Sequence, residues 1–125
     1  MSREAIFTAG APKPGAPYAQ AIKANGFLFV TGQVSRDPAS GDFMPGTFEQ
    51  QLHQAIKNLR AILEAGGSSL DKTVKLTIYM TSQGDLYVMN RVLGEYFPDP
   101  PARSSFGVAF LWKQCQVMIE AIALT

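Results

Sequence analysis

In Thr47-Phe-Glu-Gln-Gln-Leu-His-Gln-Ala-Ile-Lys-Asn-Leu-Arg-Ala-Ile-Leu-Glu-Ala-Gly-Gly67, the residues Phe48, Leu52, Ile56, Leu59 and Leu63 recur at helical spacing, with Glu49, Lys57, Arg60 and Glu64 off that stripe. A period near 3.6 predicts a helix that lays one apolar face on a core. Thr47 and Gln50 have the spacing of a capping box, and Gly66-Gly67 supplies the stop. Just beyond, Val74-Lys-Leu-Thr-Ile-Tyr-Met80 alternates and is rich in β-branched and aromatic residues, as a strand half buried against that helix would be.

Working outward, Ala19 to Lys23 and Phe27 to Gln33 are short apolar runs separated by Ala24-Asn25-Gly26. Asn-Gly between two such runs predicts a β-hairpin. The stretch Gly10 to Pro17, with three prolines and two glycines, reads as an extended, turn-rich lead-in, and Asp37 to Gly46 as loop. Downstream, Asp85 can cap a second helix whose stripe is Leu86, Met89, Val92, Leu93 and Tyr96, ended by Pro98 and Pro100. Two more strands follow, Arg103 to Leu111 and Gln116 to Leu124, and the short Trp112 to Cys115 connection predicts that they pair with each other. The order hairpin, helix, strand, helix, hairpin gives one α+β domain over residues 1–125, with both helices on one face of a sheet.

Composition narrows the function. Charged residues are 17% of the 125, below the usual figure of about 25%, and two helices leave the other sheet face bare. A closed homo-oligomer that covers this face is the expectation. The net charge of +1 provides no field for a nucleic-acid backbone or an anionic membrane, so neither is expected as a partner. Cys115 and His53 are the only cysteine and histidine, which excludes an internal disulfide framework and a Cys/His zinc cluster. His53 reads as a solvated or interface helix residue and Cys115 as a plain small one. Met1-Ser2-Arg3-Glu4 leads into no apolar run, so the expected location is the cytoplasm.

No Gly-x-Gly-x-x-Gly, Walker lysine, Gly-x-Ser-x-Gly or His-Glu-x-x-His motif is present, so cofactor-free and metal-free chemistry is expected. The candidate groups are polar residues in apolar strands. Alternation puts Arg103, Ser105 and Gly107 on one face and Phe106, Val108 and Phe110 on the other; Met118 and Glu120 likewise share a face. If the last two strands pair, Arg103 falls opposite Glu120 and Ser105 opposite Met118. Arg103 is then either one half of a structural ion pair or an anion clamp, its planar fork matching a carboxylate at a site stiffened by Pro98, Pro100 and Pro101.

Several motifs together resemble the RidA (YjgF, L-PSP) family of imine and enamine deaminases. They are Ala16-Pro-Tyr-Ala-Gln-Ala, Thr31-Gly-Gln before Asp37-Pro, Asn58-Leu-Arg-Ala-Ile-Leu-Glu-Ala-Gly-Gly, Val74-Lys-Leu-Thr, Pro101-Ala-Arg-Ser and the ending Ile-Glu-Ala-Ile-Ala. The resemblance implies a chorismate-mutase-like (bacillus type) fold, assembled as a barrel-like homotrimer with a ligand cleft at each subunit interface. It also implies cofactor-free hydrolysis of 2-aminoacrylate or 2-aminocrotonate to a 2-oxo acid and ammonium, by a 2-iminobutanoate/2-iminopropanoate deaminase-like hydrolase.

By that resemblance Arg103 binds the substrate carboxylate, and the backbone of Ser105 contacts its amine or the attacking water. Tyr18, Thr31, Asn90 and Met118 complete the binding residues, with Tyr18 and Thr31 lent across the interface. The family's water-orienting glutamate falls at Met118, while Glu120 matches a second glutamate about 6 to 7 Å further along the strand. Glu120 is retained as a catalytic candidate. Ala16 stands for a glycine, Gly107 for a glutamate, Phe110 for an arginine and Trp112 for a proline, which makes the cleft more apolar. A non-catalytic trimeric binding protein for small 2-oxo or amino acids is the alternative.

Overall fold

Asn25 (φ 52°) and Gly26 (φ 82°) both occupy the left-handed region and close a two-residue hairpin in the structure, a computed structural model that describes residues 2–125. Such a turn twists in the same sense as the strands it joins, here β2 (Ala21–Ala24) and β3 (Phe27–Gln33). A short strand β1 (Glu4–Ile6), absent from the sequence reading, pairs antiparallel with β2. Helix α1 (Phe48–Ala65) starts on the expected reciprocal cap, with Gln50 N–H donating to Thr47 Oγ1 at 3.2 Å and Thr47 N–H donating to Gln50 Oε1 at 2.9 Å. It ends in paired bonds from Gly67 N–H to Glu64 O (3.1 Å) and Ser68 N–H to Leu63 O (2.8 Å), with Gly67 at φ 81°.

Strand β4 (Thr73–Met80), helix α2 (Leu86–Tyr96) and strand β5 (Ala102–Gly107) form a crossover unit, so β4 and β5 run parallel. Asp85 Oδ1 caps α2 by accepting from Val88 N–H at 3.1 Å. The last strand, β6 (Val117–Leu124), pairs antiparallel with β3 on one side and β4 on the other, giving a mixed sheet in the order β1-β2-β3-β6-β4-β5. The predicted C-terminal hairpin is therefore wrong. Glu120 lies opposite Thr77 and Met118 opposite Tyr79, whereas Arg103 is beside Leu76 and Ser105 beside Ile78.

The physical reason lies in the faces of β6. Val117, Ile119, Ala121 and Ala123 are all buried against the helices, and a strand this apolar gains most when neighbours flank it on both edges. Residues 108–116 carry the chain past β4, held by Val108 N–H to Met80 O (2.8 Å) and Thr81 N–H to Gln116 O (3.1 Å). Strand β5 accordingly ends at Gly107 rather than Leu111 and stays at the sheet edge.

Both helices cover one face of the sheet. The core between them contains Leu28, Leu52, Ile56, Leu59, Ile62, Leu76, Ile78, Met89, Val92 and Ile119, all buried. Leu86, read as part of the α2 stripe, is 59% exposed because it sits in the first turn, beyond the reach of the sheet. Three buried amides fasten the loops to this core. Gln20 Nε2 donates toward the carbonyls of Thr8, Ala11 and Pro12, Asn58 Nδ2 toward those of Val34 and Arg36, and Gln51 spans Gly46 O and Gln116 N–H. No helix among the described residues is long and apolar enough to cross a membrane.

Candidate active site

The sheet register splits the candidate residues into groups on opposite faces. Arg103 and Ser105 share the helix-covered face with Leu76 and Ile78, but at the edge strand, where α2 covers them incompletely. Ser105 Oγ points toward α2, 3.8 Å from Met89 Sδ. The outer edge of β5 has no strand partner among the described residues, so backbone groups around Ser105 are open to a ligand.

Arg103 is exposed. Its Nη2 donates to Asn90 Oδ1 at 2.8 Å, and no carboxylate lies within salt-bridge reach among the described residues. The ion-pair reading with Glu120 is excluded by the same geometry, since the two side chains stand on opposite faces of the sheet. The guanidinium borders a cavity of about 540 Å³ walled by Leu93, Gly94, Phe97 and the proline run Pro98, Pro100 and Pro101. A cation steadied by a neutral amide keeps its full charge for a ligand. Asn90 fixes its orientation without neutralising it.

A second cleft of about 540 Å³ opens on the bare face, where β3 bulges between Val30 and Gln33. Tyr18, Thr31 and Met118 all line it. Thr31 Oγ1 donates to Ala19 O at 2.6 Å, which ties the strand to the lead-in that carries Tyr18. Met118 lies directly over Gly32: a Cβ there would come within 2.5 Å of the sulfur. Glycine is what lets the thioether lie against the backbone. Trp112 forms part of the rim, with Arg36 Cζ 4.7 Å and Lys113 Nζ 5.5 Å from its ring centroid.

Glu120 occupies neither cavity. It faces the bare side in a smaller hollow of about 190 Å³ with Lys75 and Thr77, and Oε1 accepts a hydrogen bond from Tyr79 Oη. That bond to an anion, more than partial burial, pushes the Tyr79 phenol above its ordinary pKa. His53, partly buried between α1 and α2, has Nδ1 2.7 Å from Tyr96 Oη and lies on the helix layer, far from these groups in topology. Cys115 is 2% exposed, and burial pushes its thiol up, away from nucleophilic character. No cluster of His, Cys, Asp or Glu among the described residues could hold a metal ion.

Within the single chain, then, Arg103, Asn90 and Ser105 come together, as do Tyr18, Thr31 and Met118, but the two groups do not meet. Arg36 was missed by the sequence reading. Its position over Trp112 depends on the Arg36–Phe43 bridge and on Nε donating to Gly41 O at 2.9 Å, neither of which has a local pattern.

Residues 8–125 match the family model described as endoribonuclease L-PSP. The chain is 46% identical over 122 residues to a RutC family protein of Pyrococcus horikoshii, covering 97% of each. It is 37% identical over 123 residues to the 2-iminobutanoate/2-iminopropanoate deaminase of Mus musculus, covering 98% of this chain and 91% of that one. Among solved structures it is similar to TdcF of E. coli with bound serine, at a TM-score of 0.91 and 31% identity, covering 98% of both chains.

Proposed function

The chain belongs to the RidA (YjgF, L-PSP) family, and from that premise we propose that it is a hydrolytic deaminase of reactive enamines and imines of the 2-aminoacrylate and 2-aminocrotonate type. The working unit is a homotrimer of chorismate-mutase-like subunits, each one family domain, in which the Arg103 edge of one protomer meets the Tyr18, Thr31 and Met118 cleft of its neighbour. The bare sheet face supports this assembly. Phe29 is 45% and Phe106 52% exposed there, side by side with the half-buried Tyr79 and Ile122. Apolar surface on this scale is what a second copy would cover.

In the reaction the enamine tautomerises to the imine, which takes one proton from solvent to become the iminium, and Arg103 receives its carboxylate in two parallel N–H···O bonds. Water adds to C2 as the C=N electron pair moves onto nitrogen. The resulting carbinolamine re-forms a C=O bond and expels nitrogen, so both water protons leave with ammonium and the water oxygen stays in the 2-oxo acid. Since this hydrolysis proceeds unaided in water, a site that fixes the acid and orients a water suffices. The open backbone at Ser105 and the Tyr18 hydroxyl are the groups proposed for that task, whereas Glu120, one strand repeat beyond Met118, stands outside both cavities and is engaged by Tyr79.

The observation that carries this reading is Arg103, held by neutral Asn90 at the mouth of a cavity with no carboxylate to neutralise it. Added to a pyridoxal-phosphate dehydratase acting on serine, the protein accelerates pyruvate release. Arg103→Ala removes that gain, a loss of about 30-fold or more for a carboxylate deprived of its charged partner. Equal rates in buffer, wild type and variant would defeat the proposal.

Met118 favours a second reading, a trimeric binding protein for small 2-oxo or amino acids without turnover. Serine bound to the E. coli relative is consistent with it. Calorimetric binding that depends on Arg103, beside no gain in rate, selects this alternative. RNA cleavage finds no support in a chain of net charge +1 whose single histidine is engaged with Tyr96 between the helices.

A further inference from the structure

Two cations converge on one indole at the rim of the bare-face cleft. Arg36 Cζ lies 4.7 Å and Lys113 Nζ 5.5 Å from the Trp112 ring centroid, so the two charges stand within roughly one Debye length, about 10 Å, of each other. Like charges repel, and no carboxylate relieves them. The ion pairs among the described residues all lie on the helices, and none includes Arg36 or Lys113. Asp37, next in the chain, turns back to accept from Ala39 N–H at 2.8 Å and Ser40 N–H at 2.9 Å, and Asp42 lies outside salt-bridge reach of both cations.

The backbone sets both cations in place. Arg36 Nε donates to Gly41 O at 2.9 Å, and Gly41, at φ 78°, leaves the room that the guanidinium occupies: a Cβ there would lie 3.0 Å from Nη2. Lys113 holds φ 55°, a left-handed conformation uncommon for a residue with a side chain. Segments distant in sequence thus bring two positive charges to one ring that is itself 41% exposed. Gathering like charges without a counter-ion suits an anion arriving from solvent.

The class of anion follows from the donors. With Nε engaged by Gly41 O, the guanidinium offers its two terminal amino groups, and the Lys113 ammonium adds three N–H groups that rotate freely. A single carboxylate, with two coplanar oxygens and one charge, satisfies one of these cations. A phosphate group has three acceptor oxygens and a charge of about −1.5 to −2 near neutral pH, enough for both.

We propose that Arg36 and Lys113, seated on Trp112, form a binding site for the phosphate group of a small phosphorylated molecule. The net charge of +1 supplies no wider field that would extend the site along a nucleic-acid backbone. Arg103 stands on the other face of the sheet and takes no part in it. The site holds or fails independently of the deaminase reading, since its test involves no imine.

Trp112 is the only tryptophan, so the intrinsic fluorescence of the full-length protein reads this site directly. The probes are inorganic phosphate, pyrophosphate, acetate and a short single-stranded oligonucleotide, each titrated at constant ionic strength. The expected result is a saturable change with phosphate and pyrophosphate, at affinities about tenfold or more above that of acetate. Arg36→Gln and Lys113→Asn each weaken this binding roughly tenfold, the effect of losing one charge-assisted contact, while asparagine still tolerates the left-handed backbone. Arg103→Ala leaves the affinity unchanged. A signal that tracks ionic strength alone, acetate bound as tightly as phosphate, binding unmoved in both rim variants, or binding abolished by Arg103→Ala would each overturn the site. Preference for the oligonucleotide over pyrophosphate would overturn it as well, in favour of a nucleic-acid surface.

Discussion

Arg103 and Thr73 show how differently a polar side chain behaves at the rim and in the interior of the same sheet. Arg103 stays exposed and keeps its charge available, with one neutral hydrogen bond to Asn90. Thr73, at the start of β4, is buried with Oγ1 unpartnered. A buried hydroxyl without a partner costs about 1–3 kcal/mol. Thr73→Val keeps the β-branched shape and removes that oxygen, so it is expected to stabilise the fold by about 1 kcal/mol. An upward shift of the urea midpoint at constant slope is the signature; an unchanged or lower midpoint contradicts it. The residue is as legible as any other in sequence, yet nothing in Lys72-Thr-Val-Lys75 signals that its hydroxyl is stranded.

At the scale of elements, the register of α2 against α1 governs the clamp, because Asn90 and Arg91 are adjacent on α2. Arg91 Nη2 reaches Glu49 Oε1 of α1 at 2.5 Å, and the His53 and Tyr96 rings meet one turn along, tilted by 59° with centroids 5.5 Å apart. The hydrogen bond and charge of Arg91 hold the Glu49 carboxyl below its ordinary pKa. A depressed folded-state value means that the pair's contribution is complete above the unfolded pKa of about 4.3 and is lost as pH falls through the lower folded value. Wild type should therefore lose stability more steeply than Glu49→Gln on acidification from about pH 5 toward pH 2, with the two converging at the acid end. The pair is exposed, so the difference is small, and denaturation midpoints measured in low salt are the appropriate probe. Curves that stay parallel over this range would show that the pair carries no such linkage.

At the scale of the whole molecule, the two candidate groups lie on opposite faces of a sheet, with β4 and β6 between the β3 region of the cleft and the β5 edge. A site assembled from both requires two copies. Arg103→Ala and Tyr18→Ala should each be inactive alone, yet regain roughly a quarter of wild-type activity when co-expressed in equal amounts, because one interface in four then joins two intact halves. Mass measurement of the mixed assemblies accompanies the assay. Inactive mixed assemblies would mean that the site is not shared between copies. Phe106 faces the bare side, so the apolar side of β5 is the side away from the helices, the reverse of the usual expectation for a lone domain.

The sequence alone determined the pieces whose causes are local. The Thr47–Gln50 cap, the Gly66-Gly67 stop, the Asn25-Gly26 hairpin and the Asp85 cap each depend on bonds or backbone angles within a few residues, and each stands where the sequence puts it. Family motifs likewise picked out Arg103 and Asn90, which do touch. Only the tertiary structure decided that β6 inserts between β3 and β4, that Arg103 and Glu120 therefore face opposite sides, and that Gln20, Gln51 and Asn58 are buried anchors. Strand neighbours are chosen by burying whole apolar faces at once, an energy summed over residues distant in the chain, so a short connection such as Trp112 to Cys115 carries no reliable sign of which strands it will separate.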